Sequence, residues 1–169
     1  ICFMRTVFVK KLIEEARQDS NLFLLTADLG YRALEEFQDE FPERLINVGV
    51  AEQNMIGVAT GLALSGKNVC VYSIVPFVTF RCFEQIRNNI SHNNLNIKII
   101  GVGGGFSYGD QGISHNTTED FAVMRTLPNF NILCPGDKIE AELVIKAMFN
   151  DAKPAYIRLG KAPNISVYE

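Results

Sequence analysis

The 169-residue sequence has no excess of positive charge: 16 Lys and Arg stand against 19 Asp and Glu, for a formal net charge of -3. Without a basic field, nucleic acid and anionic membrane surfaces are not expected as partners. No apolar run approaches the ~18 residues that a membrane span requires. The apolar start of the chain carries Arg5 and no small-residue cleavage site, which argues against a secretory leader. Cys2, Cys70, Cys82 and Cys134 form no C-x-x-C pair, and the two histidines, His92 and His115, add no metal-ligand spacing, so no metal is expected on this chain. The thiols read as reduced and the location as cytoplasmic, with Cys70 and Cys134 in apolar stretches that read as core. Repeats and Pro/Ser-rich linkers are also missing. What remains, 47% hydrophobic and 21% charged, is an ordinary globular composition for one domain. Met4 reads as a candidate start, with residues 1–3 as upstream remnant.

Two nucleotide-binding motifs are approached and missed. Gly61-Leu-Ala-Leu-Ser-Gly66-Lys67-Asn68 has asparagine where a phosphate loop needs a magnesium-binding hydroxyl, and it ends a helix instead of opening one. Gly66 therefore reads as a helix C-cap. In Gly101-Val-Gly-Gly-Gly-Phe106 the last glycine of a dinucleotide fingerprint is a phenylalanine.

The chain does carry a regular alternation. Strand-length apolar runs are expected at Leu22–Thr26, Leu45–Val48, Asn68–Ser73, Ile97–Val102, Phe130–Cys134 and Ala155–Leu159. Helical periodicity is expected at Arg5–Gln18, Tyr31–Glu40, Ala51–Ser65, Phe77–Ser91, Thr117–Arg125 and Asp137–Asn150. LFLLT and IKIIGV are apolar on both faces, as strands covered on two sides are. The pattern predicts an α/β fold: a parallel, roughly six-stranded sheet with helices on both faces. Function in such sheets gathers at the carboxyl ends of the strands. There lie Val50–Asn54, Ile74–Phe80 and Gly101–Asn116, the last containing six of the thirteen glycines, Asp110 and His115.

Glu52 sits in the first turn of an otherwise apolar helix, where the helix dipole alone would favour a carboxylate. Phe77, Phe80 and Phe83 recur at three-residue spacing, a slanted aromatic stripe if the segment is helical. Core packing is the commonest use of such a stripe. If the two loops adjoin, a carboxylate faces an aromatic-walled slot suited to a flat heteroaromatic ring with a protonatable nitrogen. His92, in the polar run SHNN, reads as solvent-facing. Asn116 and Thr117, with Glu119 and Asp120 at capping-box offsets, read as structural.

Taken in order, GVAEQNM, VYSIVPFVTFRCFEQIRNN, GDQGISHNTTED, MRTLPN, PGD and PAYIRLGK resemble the pyrimidine-binding domain of transketolase, over residues 4–163. Among transketolase-like chains, the sequence is most similar to the small subunit of a split enzyme. The resemblance implies the thiamine-diphosphate-binding pyrimidine-domain fold and transfer of a two-carbon ketol unit between sugars. Glu52 then matches the glutamate that hydrogen-bonds a ring nitrogen of the aminopyrimidine of thiamine diphosphate and favours its imino form. Phe77, Phe80 and Phe83 match the aromatic positions that hold the ring. His115 matches a substrate-facing histidine, and Asp28 an acidic residue near the cofactor. Gln111 stands where many transketolases have an aspartate that reads donor hydroxyls, and Arg32 is a loose match for a sugar-phosphate ligand. The diphosphate and its Mg2+ or Ca2+ are expected on a partner domain or subunit, in a homo- or hetero-oligomer, because no G-D-G…N motif occurs here. Residues 164–169 read as the start of a linker to a C-terminal domain, and the chain is not expected to turn over substrate alone. Alternatives are a 1-deoxyxylulose-5-phosphate synthase-like chain, a 2-oxo-acid dehydrogenase β chain, or a silent association module.

Overall fold

A computed structural model of the protein describes residues 4–161. Six strands form one all-parallel sheet: β1 (Leu22–Thr26), β2 (Leu45–Asn47), β3 (Asn68–Ile74), β4 (Ile97–Val102), β5 (Asn131–Leu133) and β6 (Ala155–Leu159). Their spatial order is β2-β1-β3-β4-β6-β5. Helix α1 (Met4–Gln18) precedes β1, and between the strands run α2 (Glu35–Glu40), α3 (Glu52–Leu64), α4 (Val75–Val78), α5 (Phe83–Gln85), α6 (Asp120–Met124) and α7 (Lys138–Asn150). The six-stranded α/β architecture is the one that the alternating pattern predicts. The expectations for the two ends, residues 1–3 and 164–169, lie outside the described residues.

The order of strands dictates which helices share a face. Parallel crossovers are right-handed, so connections that step in opposite directions along the sheet put their helices on opposite sides. The steps from β1 to β2 and from β5 to β6 run one way; the other three run the opposite way. Helices α2 and α7, joined by α1, accordingly pack on one face, and α3, α4 and α6 on the other. Strand periodicity divides the core between them. Leu24, Cys70, Tyr72, Ile100 and Ile157 point into the first layer, and Leu25, Val69, Val71, Ile99 and Tyr156 into the second. Both layers are apolar, which is why these strands show no polar alternation.

Helix ends follow local chemistry. Asp137 caps α7 by accepting from the backbone N–H of Ile139 and Glu140, both at 2.9 Å. Gly66 closes α3 in a left-handed conformation (φ 84°), with Gly66 N–H donating to Ala63 O and Lys67 N–H to Leu62 O. That is the Schellman arrangement and leaves no phosphate cradle there.

Several expected boundaries move. The segment expected as one helix from Phe77 to Ser91 is three pieces: α4, then α5 after an irregular turn, then a π-helical turn at Ile86–Ser91. Thr79 causes part of the break, since its hydroxyl bonds back to Val75 O at 2.7 Å. Helix α2 starts at Glu35 instead of Tyr31, because Arg32 is left-handed (φ 59°) and the chain first turns through Gly30. Helix α6 starts at Asp120 instead of Thr117, because Thr117 is held in an antiparallel bridge with Gly105. Cys134 is exposed, against the expectation of a core thiol, since it follows the edge strand β5. Cys70 is buried as expected.

Candidate functional site

The carboxyl ends of β1 to β4 share one edge of the sheet, and the strand order reverses between β1 and β3. Open parallel sheets bind ligands at such a reversal. Glu52 begins α3 directly after β2. Only 5% of it is exposed, and no side chain caps the helix start, so its carboxylate meets the positive end of the helix dipole. Gln53, one residue on, donates from Nε2 to the carbonyl of Arg81 at 2.7 Å and ties α3 to the turn after α4.

Phe77 lies on α4 at the end of β3, where Pro76 fits the first helical turn without needing an N–H partner. Its ring is flanked twice. The guanidinium carbon of Arg81 sits 3.8 Å from its centroid, and the ring of His115 meets it edge-on at 4.9 Å. Arg81 Nη1 donates to Glu52 Oε1 at 3.2 Å. Glu52, Arg81, Phe77 and His115 therefore form one contiguous group.

His115 arrives from the long loop after β4. The loop base is closed by paired hydrogen bonds between Gly105 and Thr117. Gly103 (φ 76°) cannot be replaced freely, because a Cβ there would lie 2.3 Å from the Tyr108 ring. Tyr108 in turn packs 5.7 Å from His115 and carries the Lys161 ammonium over its ring at 4.0 Å. Burial raises the Tyr108 phenol above its ordinary pKa. Ser114 Oγ is 2.9 Å from His115 Nδ1, so the hydroxyl helps fix the imidazole.

The remaining sequence candidates are placed differently. Phe80 lies on the rim at 38% exposure. Phe83 packs against the second core layer, because the broken helix takes it out of line with Phe77. The three-ring stripe is thus a single ring in the slot, one at its edge and one half-buried against the second core layer. Asp28 is exposed and left-handed (φ 55°). Its N–H donates to Asn47 Oδ1 at 2.9 Å, over a cleft of about 210 Å³ between the ends of β1 and β2. Gln111 is exposed on a short turn (Gly109–Gln111), and His92 is exposed as expected. Arg32 does not join the group; its guanidinium lies over Tyr31.

A buried polar cluster surrounds Asp120, which the sequence pattern assigned to helix capping. Asp120 is fully buried, accepting from Tyr156 OH at 2.7 Å and from Arg158 Nη1 at 3.0 Å. Tyr156 and Arg158 are two apart on β6 and so face the same layer. Burial, then the Asp120 carboxylate, pushes the Tyr156 phenol well above its ordinary pKa. Arg158 stacks on Phe121 at 4.0 Å and leaves no room for a Cβ at Gly104, which would lie 2.3 Å away. Arg81 was equally unforeseen; a lone arginine between Phe80 and Cys82 was its signal.

A carboxylate in a nearly dry wall, one aromatic face beside it and an imidazole at the rim suit a flat, nitrogen-bearing ring with a polar substrate above it. Among the described residues no group of three His, Cys, Asp or Glu side chains is placed to hold a metal ion, and no helix is long and apolar enough to cross a membrane.

Comparison with known proteins agrees with this arrangement. Residues 3–163 match the family model described as transketolase, pyrimidine binding domain. The chain is 37% identical over 166 residues to a subunit of the apulose-4-phosphate transketolase of Phocaeicola vulgatus, covering 98% of this chain and 53% of that protein. It is 32% identical over 166 residues to 6-deoxy-6-sulfo-D-fructose transketolase subunit SqwH of a Clostridium species, covering 98% and 52%. Among solved structures it is similar to one described as a split gene transketolase, inactive β4 tetramer, with TM-score 0.87 and 35% identity, covering 99% of this chain and 54% of the other. The chain spans about half the length of the curated relatives it matches.

Proposed function

The chain belongs to the transketolase pyrimidine-binding-domain family, and from that premise we propose that residues 4–163 form the pyrimidine-side half-site of a thiamine-diphosphate-dependent transketolase. The observation that carries this reading is the buried Glu52 carboxylate beside the Phe77 ring, with a planar nitrogen group already against both. Thiamine diphosphate, when bound, supplies the carbon that accepts and hands on a two-carbon ketol unit. Glu52 would hold a proton between its carboxylate and a ring nitrogen, in a wall that excludes water. Phe77 would stack on the ring, with Phe80 shielding its edge. Base-like rings on aromatics gain about 1–3 kcal/mol each. His115, steadied at Nδ1 by Ser114, would leave Nε2 to meet a substrate oxygen. Asp28, on the neighbouring strand end, would approach the cofactor only in the assembled site.

The rest of the site belongs to a partner. Val50, Phe80, Phe106 and Ile113 are exposed apolar side chains on loops at this same edge of the sheet, and such patches mark interfaces. We assign to them a domain or subunit that holds the diphosphate with Mg2+ or Ca2+, in a dimer or larger oligomer. A similar split transketolase is described as an inactive β4 tetramer, which fits a chain of this kind lacking turnover by itself. The two relatives above are named for different sugars, so a ketose donor is proposed as a class only, in cytoplasmic carbohydrate metabolism. The test is reconstitution: the chain, mixed with a diphosphate-binding transketolase subunit, thiamine diphosphate and Mg2+, should transfer a ketol unit from a ketose to an aldose. Activity restricted to 2-oxo acids, or full activity with Glu52→Ala, would overturn the proposal.

A further inference from the structure

The slot described above is already filled by the chain itself. Arg81 places a planar, nitrogen-rich cation 3.8 Å from the Phe77 centroid while donating to Glu52 at 3.2 Å. Those are the two contacts an aminopyrimidine would make in the same place: a stack on the ring and a hydrogen bond to the carboxylate. Carbon atoms in contact lie ~3.5–4.0 Å apart, so a ring stacked on that face of Phe77 and the guanidinium cannot be there together.

The way Arg81 is held fits a movable occupant. Its side chain is 46% exposed and makes one contact with the carboxylate instead of the two-pronged pairing an arginine can make. Its backbone is fastened separately, by the Gln53 side chain on the carbonyl. The guanidinium can therefore leave without moving the turn that carries it. Arg158 is the contrast: 25% exposed, stacked on Phe121 and wedged against Gly104. Glu52 also needs a partner before any ligand arrives, since a buried carboxylate without one is costly.

Resting on the pyrimidine-slot reading, we infer that Arg81 is a built-in stand-in for the cofactor ring: it fills the slot and pairs Glu52 in the unloaded chain, and ring binding displaces it. The occupant lowers the apparent affinity by the factor its own contacts supply. One exposed cation–π contact and one half-exposed ion pair together amount to about three- to thirtyfold.

The test uses the free hydroxymethyl-aminopyrimidine half of thiamine as the probe, titrated into the full chain by ligand-detected NMR. Arg81→Met keeps the bulk of the side chain and removes the planar cation. It should bind the probe about three- to thirtyfold more tightly than the unsubstituted chain, while Phe77→Ala should bind more weakly. In nitrogen-labelled protein, adding the probe should move the Arg81 side-chain N–H signal as it leaves the face of Phe77. Equal or weaker binding by Arg81→Met, with an unmoved Arg81 signal, would overturn the stand-in while leaving the slot intact. If the unsubstituted chain, Arg81→Met and Phe77→Ala all fail to bind, in the chain and in its assembly with a diphosphate-binding subunit, the slot reading falls and the inference with it.

Discussion

Asp120 offers the sharpest test of how this site is supported. Its carboxylate is fully buried and accepts from Tyr156 OH at 2.7 Å and Arg158 Nη1 at 3.0 Å. Asp120→Ala removes both bonds at once and leaves a buried phenol and a guanidinium with 25% side-chain exposure facing an empty space. Hydrogen bonds to charged groups contribute about 1.5–3 kcal/mol each, and breaking a buried pair from one side costs about 3–5 kcal/mol. The two figures describe the same contacts, so the expected loss is about 3–5 kcal/mol in all. Against a typical total stability of about 5–15 kcal/mol, that is a large fraction. Asp120→Asn should lose less, because it can still accept from Tyr156. Pairing Asp120→Ala with Arg158→Leu should recover part of the deficit, since the orphaned cation is then gone. Urea unfolding followed by far-UV circular dichroism reads all three. An Asp120→Ala variant within about 1 kcal/mol of the parent would show that the cluster is not structural and that the loop is anchored by something else.

The remaining expectations are shorter. Glu52→Gln in the assembled enzyme keeps size and hydrogen bonding but not basicity, and should lower kcat by about 10²–10⁴ with little change in stability; steady-state assays with a ketose donor check it. Gly104→Ala places a Cβ 2.3 Å from Arg158 Cδ and should cost about 1–3 kcal/mol as overpacking, measured by the same unfolding titration. Iodoacetamide at neutral pH should label the Cys134 peptide and spare those of Cys70 and Cys82, whose thiols burial pushes up to about 12; mass spectrometry reads the order. Stability should fall on acidification below the ordinary glutamate value of 4.5. Glu40 is lowered by its bond to Arg17, and Glu35 by the backbone N–H of Arg32. Their stabilisation is present above the unfolded-state values and is lost as pH falls through the lower folded ones. The Glu40–Arg17 ion pair is exposed, so its share of the slope should flatten in high salt.

Which parts of this molecule were legible beforehand follows from how local their causes are. Strand positions were, because LFLLT, NVCVYS and IKIIGV are apolar on both faces and only a doubly covered sheet hides such runs. The Gly66 cap was legible too, since a glycine closing an apolar helix needs nothing beyond its own turn. Glu52 stood out as a charge in an apolar helix, but only the fold could put Phe77 and His115 beside it, because they come from other strand ends. The aromatic stripe failed at Phe83 for the same reason in reverse. Three-residue spacing is a stripe only while one helix persists, and the Thr79 hydroxyl bonding to Val75 helps end it after one turn. Arg81 and Asp120 were hidden more deeply. Each is an ordinary charged residue in sequence, and each takes its meaning from a partner 29 or 38 positions away, Glu52 and Arg158 respectively. A charge becomes informative when burial makes its pairing obligatory, and burial at such distances is a property of the assembled sheet.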